Sequence, residues 1–280
     1  MIGDLYDQST FVARRGNSLC CASFTSINYP QLYSLSLVNF HEITLYEYLT
    51  GNLIHRDLLA KQITHLNIDI KNPPELCLKT ISKIFVLILS LCKKLIVLNF
   101  SDMFLKRQCK TPVSYLLSNN YIPSTLIKLK INVVSLVDCL YLLDGSLVCL
   151  STLIINVEHI FHSALSIVPT KKLPRLKCLS FTVRNIVFEY DELLVSLFCR
   201  MINLEELKLY LLVGRFNSSY IDGIQLYDQF LIYMTQLKKF TFNIKSMVYN
   251  SDVSVELPSN EDIQHSFIGR GYQKVTSYLT

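Results

Sequence analysis

The sequence predicts an α/β solenoid, a horseshoe in which a parallel sheet lines the concave side and helices cover the convex side. The main observation is an L-x-x-L-x-L spacing of apolar residues that recurs eight times. The repeats begin 24 to 33 residues apart, at Leu32, Ile63, Leu95, Leu126, Leu150, Leu176, Leu204 and Leu237. A strand and a helix of this combined length cannot bury their apolar sides alone, so such units stack on their neighbours.

The second observation is an alternation within each predicted strand. The fourth and sixth positions of a repeat point to one face and the third, fifth and seventh to the other. By count, 19 of the 24 outward positions are not hydrophobic, although half of the chain is. A parallel sheet with one face in water follows. The sixteen inward positions are Leu35, Leu37, Leu66, Ile68, Leu98, Phe100, Leu129, Ile131, Leu153, Ile155, Leu179, Phe181, Leu207, Leu209, Phe240 and Phe242.

Apolar residues at helical spacing fill most of the intervals between the strands. They predict helices over 43–61, with an interruption at Gly51-Asn52, and over 76–91, 113–117, 136–143, 191–201 and 223–234, the last with Asp222 as its N-cap. We predict an irregular segment over 1–30, the solenoid over 31–250 and a further, incomplete repeat-like segment over 251–280, with another strand at 272–279.

Composition narrows the class of protein. Half of the residues are hydrophobic and 18% are charged, which excludes a disordered chain, and the net charge of +5 is mild. The start of the chain has no secretory signal pattern, and the longest apolar run, 84–92, is too short to cross a bilayer. The nine cysteines form no regular pattern and are expected to be reduced. These features predict a cytoplasmic or nuclear protein with no membrane association.

The motifs of common catalytic and cofactor sites are missing from the sequence. It contains neither a glycine-rich phosphate loop nor a Gly-x-Ser-x-Gly turn. His159 and His162, beside Glu158, have the spacing of two metal ligands on a helix, but no third ligand lies nearby in sequence, so a pair of surface residues is the better interpretation. We therefore predict no enzyme activity, no cofactor and no metal site, although sequence leaves open a catalytic site assembled across repeats.

The concave face is the predicted binding surface, because outward side chains of a parallel sheet form a broad, rigid platform. Its lysines are either contacts for a partner or solubilising residues, and Tyr210 is a candidate aromatic anchor. A basic loop at 171–177 is likewise either a phosphate contact or a solvated loop. The candidate partner-binding residues are Lys128, Lys130, Asn132, Asn156, Thr182, Glu206, Lys208, Tyr210, Lys239 and Thr241.

The repeat spacing resembles that of leucine-rich repeats, with lengths nearer the long, helix-containing type. That family usually carries Asn or Cys at the ninth position of each repeat, where the side chain bonds the loop backbone. This chain departs from that pattern, although Asn39, Asn72 and Asn185 lie one position away as local substitutes. The ninth residues are Phe40, Lys71, Met103, Val134, Glu158, Arg184, Leu212 and Lys245.

The stretches 226–242 and 258–267 resemble the repeat region of F-box/leucine-rich-repeat proteins. The resemblance implies a protein-interaction module that recruits the substrate of a ubiquitin ligase. It implies the Skp1–cullin ligase core as a partner if a longer form carries an F-box, which is not visible here. Two alternatives stay open: a basic solenoid that binds RNA or another polyanion, and a scaffold with no ubiquitin link. Nucleic acid is not the partner that we expect, because the net charge is only mildly positive.

Overall fold

The computed structural model describes residues 10–14, 32–51, 53–70, 78–100, 125–143, 147–160, 175–216, 220–249 and 258–268. Within them, helices alternate with parallel strands, so the predicted α/β class is confirmed. The chain divides into two compact units, Met1–Ile154 and Ile155–Thr280. Each unit is described below by itself.

The first unit contains strands that pair in the order of the sequence, each parallel to the next. They are β1 (Thr10–Arg14), β2 (Ser34–Phe40), β3 (His65–Ile70), β4 (Val97–Phe100), β5 (Lys128–Ser135) and the start of β6 (Thr152–His159). Between them lie α1 (Glu42–Gly51), α2 (Leu53–Lys61), α3 (Leu78–Leu91) and α4 (Leu136–Leu142). Asn52, at the predicted interruption, lies outside the described residues. Strand β1 lies where the sequence predicts an irregular segment.

Strands β3 to β6 begin with the same hydrogen-bond arrangement. Two successive amides, those of Thr64 and His65, donate to the carbonyl oxygen of Tyr33 at 2.9 and 3.0 Å. The next amide pairs repeat this on Thr64, Ile96 and Ile127, with distances between 2.7 and 3.0 Å. The starts of β3 to β6 are therefore each bonded to the strand start before them, 24 to 32 residues earlier in the chain.

The core of the first unit lies between the strands and α3. Ile81, Ile84, Phe85 and Ile88 recur at helical spacing and are fully buried. The ring of Phe85 meets Phe100 of β4 edge to face, with 5.6 Å between ring centroids. The apolar residues that predict this helix therefore form the face of α3 that packs against the sheet.

The second unit continues β6 and adds β7 (Cys178–Val187), β8 (Glu206–Phe216) and β9 (Lys239–Tyr249), where β7, β8 and β9 pair in parallel. Its helices are α5 (Val195–Phe198), α6 (Gly223–Gln229) and α7 (Asn260–Ser266), with a π-helical turn at Tyr190–Leu194 and a 3₁₀ turn at Leu231–Tyr233. The amide pairs of Glu205–Glu206 and Lys238–Lys239 repeat the strand-start arrangement on Lys177 and Glu205.

Two helices of this unit differ from their predicted lengths. The helix predicted over 191–201 is a wide turn followed by the four-residue α5, and the one predicted over 223–234 ends at Gln229. The predicted N-cap is confirmed, because the Asp222 carboxylate accepts a hydrogen bond from the Gln225 amide at 2.8 Å.

The predicted alternation of strand faces is confirmed for the inward side. Fourteen of the sixteen inward residues are buried, with at most 2% of their surface exposed. Phe240 and Phe242, both in β9, are half-buried instead. They stack on each other, and Phe267 after α7 stacks on Phe242 with 5.2 Å between centroids.

Five of the nine cysteines fall within the described residues, and all five are free thiols. Burial raises the pKa of the Cys92 thiol to about 12, so this side chain stays neutral at physiological pH. The predicted helix over 113–117 and strand over 272–279, together with His162 and most of the 171–177 loop, lie outside the described residues.

Candidate functional site

The outward face of the first unit carries a row of polar side chains that the strand register aligns. Ser36, Asn67, Asn99 and Lys130 are register partners on β2, β3, β4 and β5. The Asn99 amide donates to the side-chain oxygen of Asn67 at 2.6 Å. All four are half-buried, as expected for the water-facing side of a sheet.

Three candidate residues lie on β5 in this unit. Lys128 is exposed and Lys130 is half-buried, and within the described residues no carboxylate lies within 4.0 Å of either ammonium group. Asn132 is different: the sequence places it on the water-facing side, yet only 6% of it is exposed. It offers almost no surface to a partner, because β5 is buried on both faces from Ile131 to Val133.

The outward face of the second unit is a grid of three rows across β7, β8 and β9. The first row is Cys178, Glu206 and Lys239, the second Ser180, Lys208 and Thr241, and the third Thr182, Tyr210 and Asn243. Six of the predicted residues therefore lie in register on adjacent strands. Asn156, the remaining one, is half-buried on β6.

Ion pairs neutralise much of the charge at the start of this grid. The Glu206 carboxylate lies 3.1 Å from the Lys208 ammonium and 3.4 Å from that of Lys239. Lys208, followed by Lys239, holds the pKa of Glu206 below its usual value. These two candidate lysines are therefore partly occupied by a carboxylate of the protein itself.

Glu205, just before β8, has two further lysine partners. Its oxygens lie 2.7 Å from the Lys238 ammonium and 2.9 Å from the Lys177 ammonium. Hydrogen bonds from Lys238 first, then Lys177, lower the pKa of Glu205 to about 2. The lysine–glutamate network (Lys177, Glu205, Glu206, Lys208, Lys238 and Lys239) thus carries more positive than negative charge.

The low pKa of Glu205 predicts the pH range in which the network loses its ion pairs. A carboxylate whose pKa is lower in the folded than in the unfolded protein stabilises the fold at pH values above the unfolded pKa. For Glu205 this stabilisation is lost as the pH falls from about 4.5 towards 2. We expect the Glu205 carboxyl carbon to show no titration above pH 3 by NMR, whereas Lys238→Met shifts its midpoint upward. Lys61→Met, remote in sequence, is the control. A wild-type midpoint near 4.5 would contradict the pairing.

His159 contacts an asparagine in the structure. The side-chain amide of Asn185 lies 3.1 Å from His159 Nδ1 and donates to the Glu158 carbonyl oxygen at 2.8 Å. Asn185 therefore bonds the backbone of β6. Within the described residues, no group of three or more His, Cys, Asp or Glu is arranged to hold a metal ion.

The sequence prediction missed an aromatic stack at the far end of the outward face. Phe188, Phe216 and Tyr249, at or just beyond the ends of β7, β8 and β9, have ring centroids 5.3 to 6.2 Å apart. The repeat pattern assigns faces only up to the seventh position, whereas β8 and β9 each run to eleven residues. Extending the same alternation by six residues reaches Phe216 and Tyr249.

Comparison with models of known protein families gives no match, and a search of curated proteins finds no significant relative. Among the residues that the structure describes, no helix has the length and apolar character needed to cross a membrane.

Proposed function

We propose that this chain is a non-catalytic protein-interaction module of the leucine-rich-repeat type and that the outward face of its strands binds a protein partner. The observation that carries the proposal is the difference between the inward and outward faces of the strands. Most inward residues are buried apolar side chains, whereas most outward residues at the repeat positions are polar, at least partly exposed and held in register. A face of this kind suits recognition of another macromolecule.

The repeated strand starts support the solenoid part of the proposal. In both units, two successive amides bond one carbonyl of the preceding strand start, at 2.7 to 3.1 Å. The same local geometry at intervals of 24 to 33 residues is what stacked repeats produce. The resemblance to the repeat region of F-box proteins further suggests that the bound protein is a substrate for ubiquitination.

A pull-down from eukaryotic cell extract tests this function. We expect the wild-type chain to retain a protein that is lost with Lys128→Glu/Lys130→Glu/Tyr210→Ala, which changes the outward face in both units. The matched control is Lys83→Glu/Lys94→Glu/Tyr233→Ala, with the same changes at exposed positions away from that face. Equal retention by all three proteins would contradict the proposal. Co-purification of the Skp1–cullin core would favour the ligase role.

A second candidate function, binding of RNA or another polyanion, is favoured by Lys128 and Lys130. Both lysines lack a carboxylate partner within the described residues, so their charge is available to phosphate. This alternative predicts that affinity for oligouridine falls steeply with salt, because each phosphate contact releases counterions. Weak binding that changes little with salt would leave the protein-binding function as the better proposal.

A further inference from the structure

The three rings of the aromatic stack are exposed to solvent although they contact one another. Phe216 is 64% exposed, Phe188 46% and Tyr249 40%. Phe188 and Phe216 lie nearly parallel, with 18° between ring planes and 5.4 Å between centroids. Single exposed apolar residues are ordinary, but a contiguous group of this kind marks an interaction site.

Gly214 shapes this surface. A Cβ built at Gly214 would lie 2.4 Å from Phe188 Cε1 and 2.9 Å from Ile186 Cγ2. The Phe188 ring therefore rests directly on the backbone of β8, in a space that any other residue would fill. The absence of a side chain at position 214 lets the ring lie flat beside Phe216.

The strands next to the stack extend its apolar surface. Met247 is the register partner of Gly214 and is 41% exposed, and Ile186 and Leu212 are register partners that are both half-buried. All of these positions share the outward face with Tyr210. The apolar area is thus continuous with the polar grid along the same strands.

One cation borders the apolar area. Lys245 is exposed and pairs in register with Leu212, one outward position from Met247. Lys208 and Lys239 are paired with Glu206, whereas no carboxylate of the described residues lies within 4.0 Å of Lys245. Its charge is therefore available to an acidic group on a partner.

We propose that the aromatic stack, Met247 and Lys245 form the anchor site of the outward face. The site takes a protein segment that presents an aromatic or branched aliphatic side chain beside an aspartate or glutamate. The apolar side chain covers the stack and Met247, and the carboxylate pairs with Lys245. Burial of an aromatic anchor beside a complementary charge is the usual pattern of an interface hot spot. This inference rests on the proposed protein-binding function.

A protein segment fits these observations better than a nucleic acid. Bases stack on free ring faces and their phosphates need a dense positive groove. Here Phe188 and Phe216 cover one face of each other, and carboxylates of Glu206 and Glu158 pair with cations on the same unit. Mixed charges around an apolar centre are typical of protein interfaces.

The test is selection of a random peptide library, displayed on phage, against the immobilised full chain. We expect enrichment of peptides with an acidic residue next to an aromatic or aliphatic one. Phe216→Ala and Gly214→Ala should weaken their binding about tenfold or more, and Lys245→Glu should shift the selection towards basic peptides. Tyr233→Ala and Lys83→Glu, at exposed positions outside the site, should change affinity by no more than about twofold.

Other results would overturn the inference in distinguishable ways. If enriched peptides bind these variants normally but fail on Lys128→Glu/Lys130→Glu/Tyr210→Ala, the anchor site is wrong and the proposed function stands. If no peptide depends on either set of residues, both are contradicted. Oligouridine binding that requires Phe216 would make the stack a nucleic-acid site, and concentration-dependent dimerisation lost in Phe216→Ala would assign it to a second copy.

Discussion

Replacing Phe198 by alanine is expected to lower the free energy of unfolding by about 3–5 kcal/mol, the usual cost of truncating a fully buried phenylalanine. Phe198 has no exposed surface. Its ring lies between Phe181 of β7, at 5.7 Å and 89°, and Phe230 after α6, at 5.1 Å. The substitution would leave a cavity that these two rings cannot fill without leaving their own packing.

Urea denaturation followed by circular dichroism measures this change, since the chain has no tryptophan to report by fluorescence. Phe216→Ala is the matched control: the same atoms are removed from a ring that is 64% exposed, so about 1 kcal/mol or less should be lost. Equal losses for the two variants would contradict the packing described for the second unit.

Gly223→Ala is expected to destabilise the contact between α6 and α7 by about 1–3 kcal/mol through overpacking. A Cβ at this position would lie 2.7 Å from Cγ and Cδ1 of Phe267 and 2.7 Å from the Ser266 carbonyl oxygen. Because one of these atoms is backbone, α7 must move. That movement would also stretch the hydrogen bond from the Gly223 amide to Ser266 Oγ, which is 2.7 Å long and buried.

Hydrogen exchange resolved by residue tests this displacement, since amides of α7 should exchange faster in Gly223→Ala. Gly51→Ala is the control, because no atom lies within 4 Å of a Cβ built at the end of α1. The double variant with Phe267→Ala should lose less than the sum of the single changes, because the ring that obstructs the new methyl group is gone. Full additivity would show that the steric contact is absent.

The sequence predicts the strands of this fold better than its helices. Leu207 and Leu209 are buried as expected because a period of two leaves each strand residue one possible face. Helix length is less secure: Asp191 to Met201 reads as one helix, but the chain forms a wide turn before α5. The inward residues of β9 are only half-buried, because among the described strands β9 pairs with β8 alone. The sequence does not reveal this, because Phe240 and Phe242 have the same spacing as the buried residues of the other strands.

The candidate site was predictable in position and less so in chemistry. The alternation correctly puts Lys208 and Tyr210 on one face, because residues two apart on a strand point to the same side. It does not reveal that Glu206 pairs with Lys208 and Lys239, nor that Asn132 is buried, since both depend on how neighbouring elements pack. The aromatic stack escaped prediction because it forms from the ends of three strands whose full lengths only the structure gives.

The most direct test of the outward face as the binding surface is photo-crosslinking in cells from benzoylphenylalanine placed at Tyr210. Tyr233, which is more exposed than Tyr210 but lies between β8 and β9 in a 3₁₀ turn, is the comparison position. The proposed function predicts that a specific protein is crosslinked from position 210 and not from position 233. Crosslinking of the same protein from position 233 alone would contradict it.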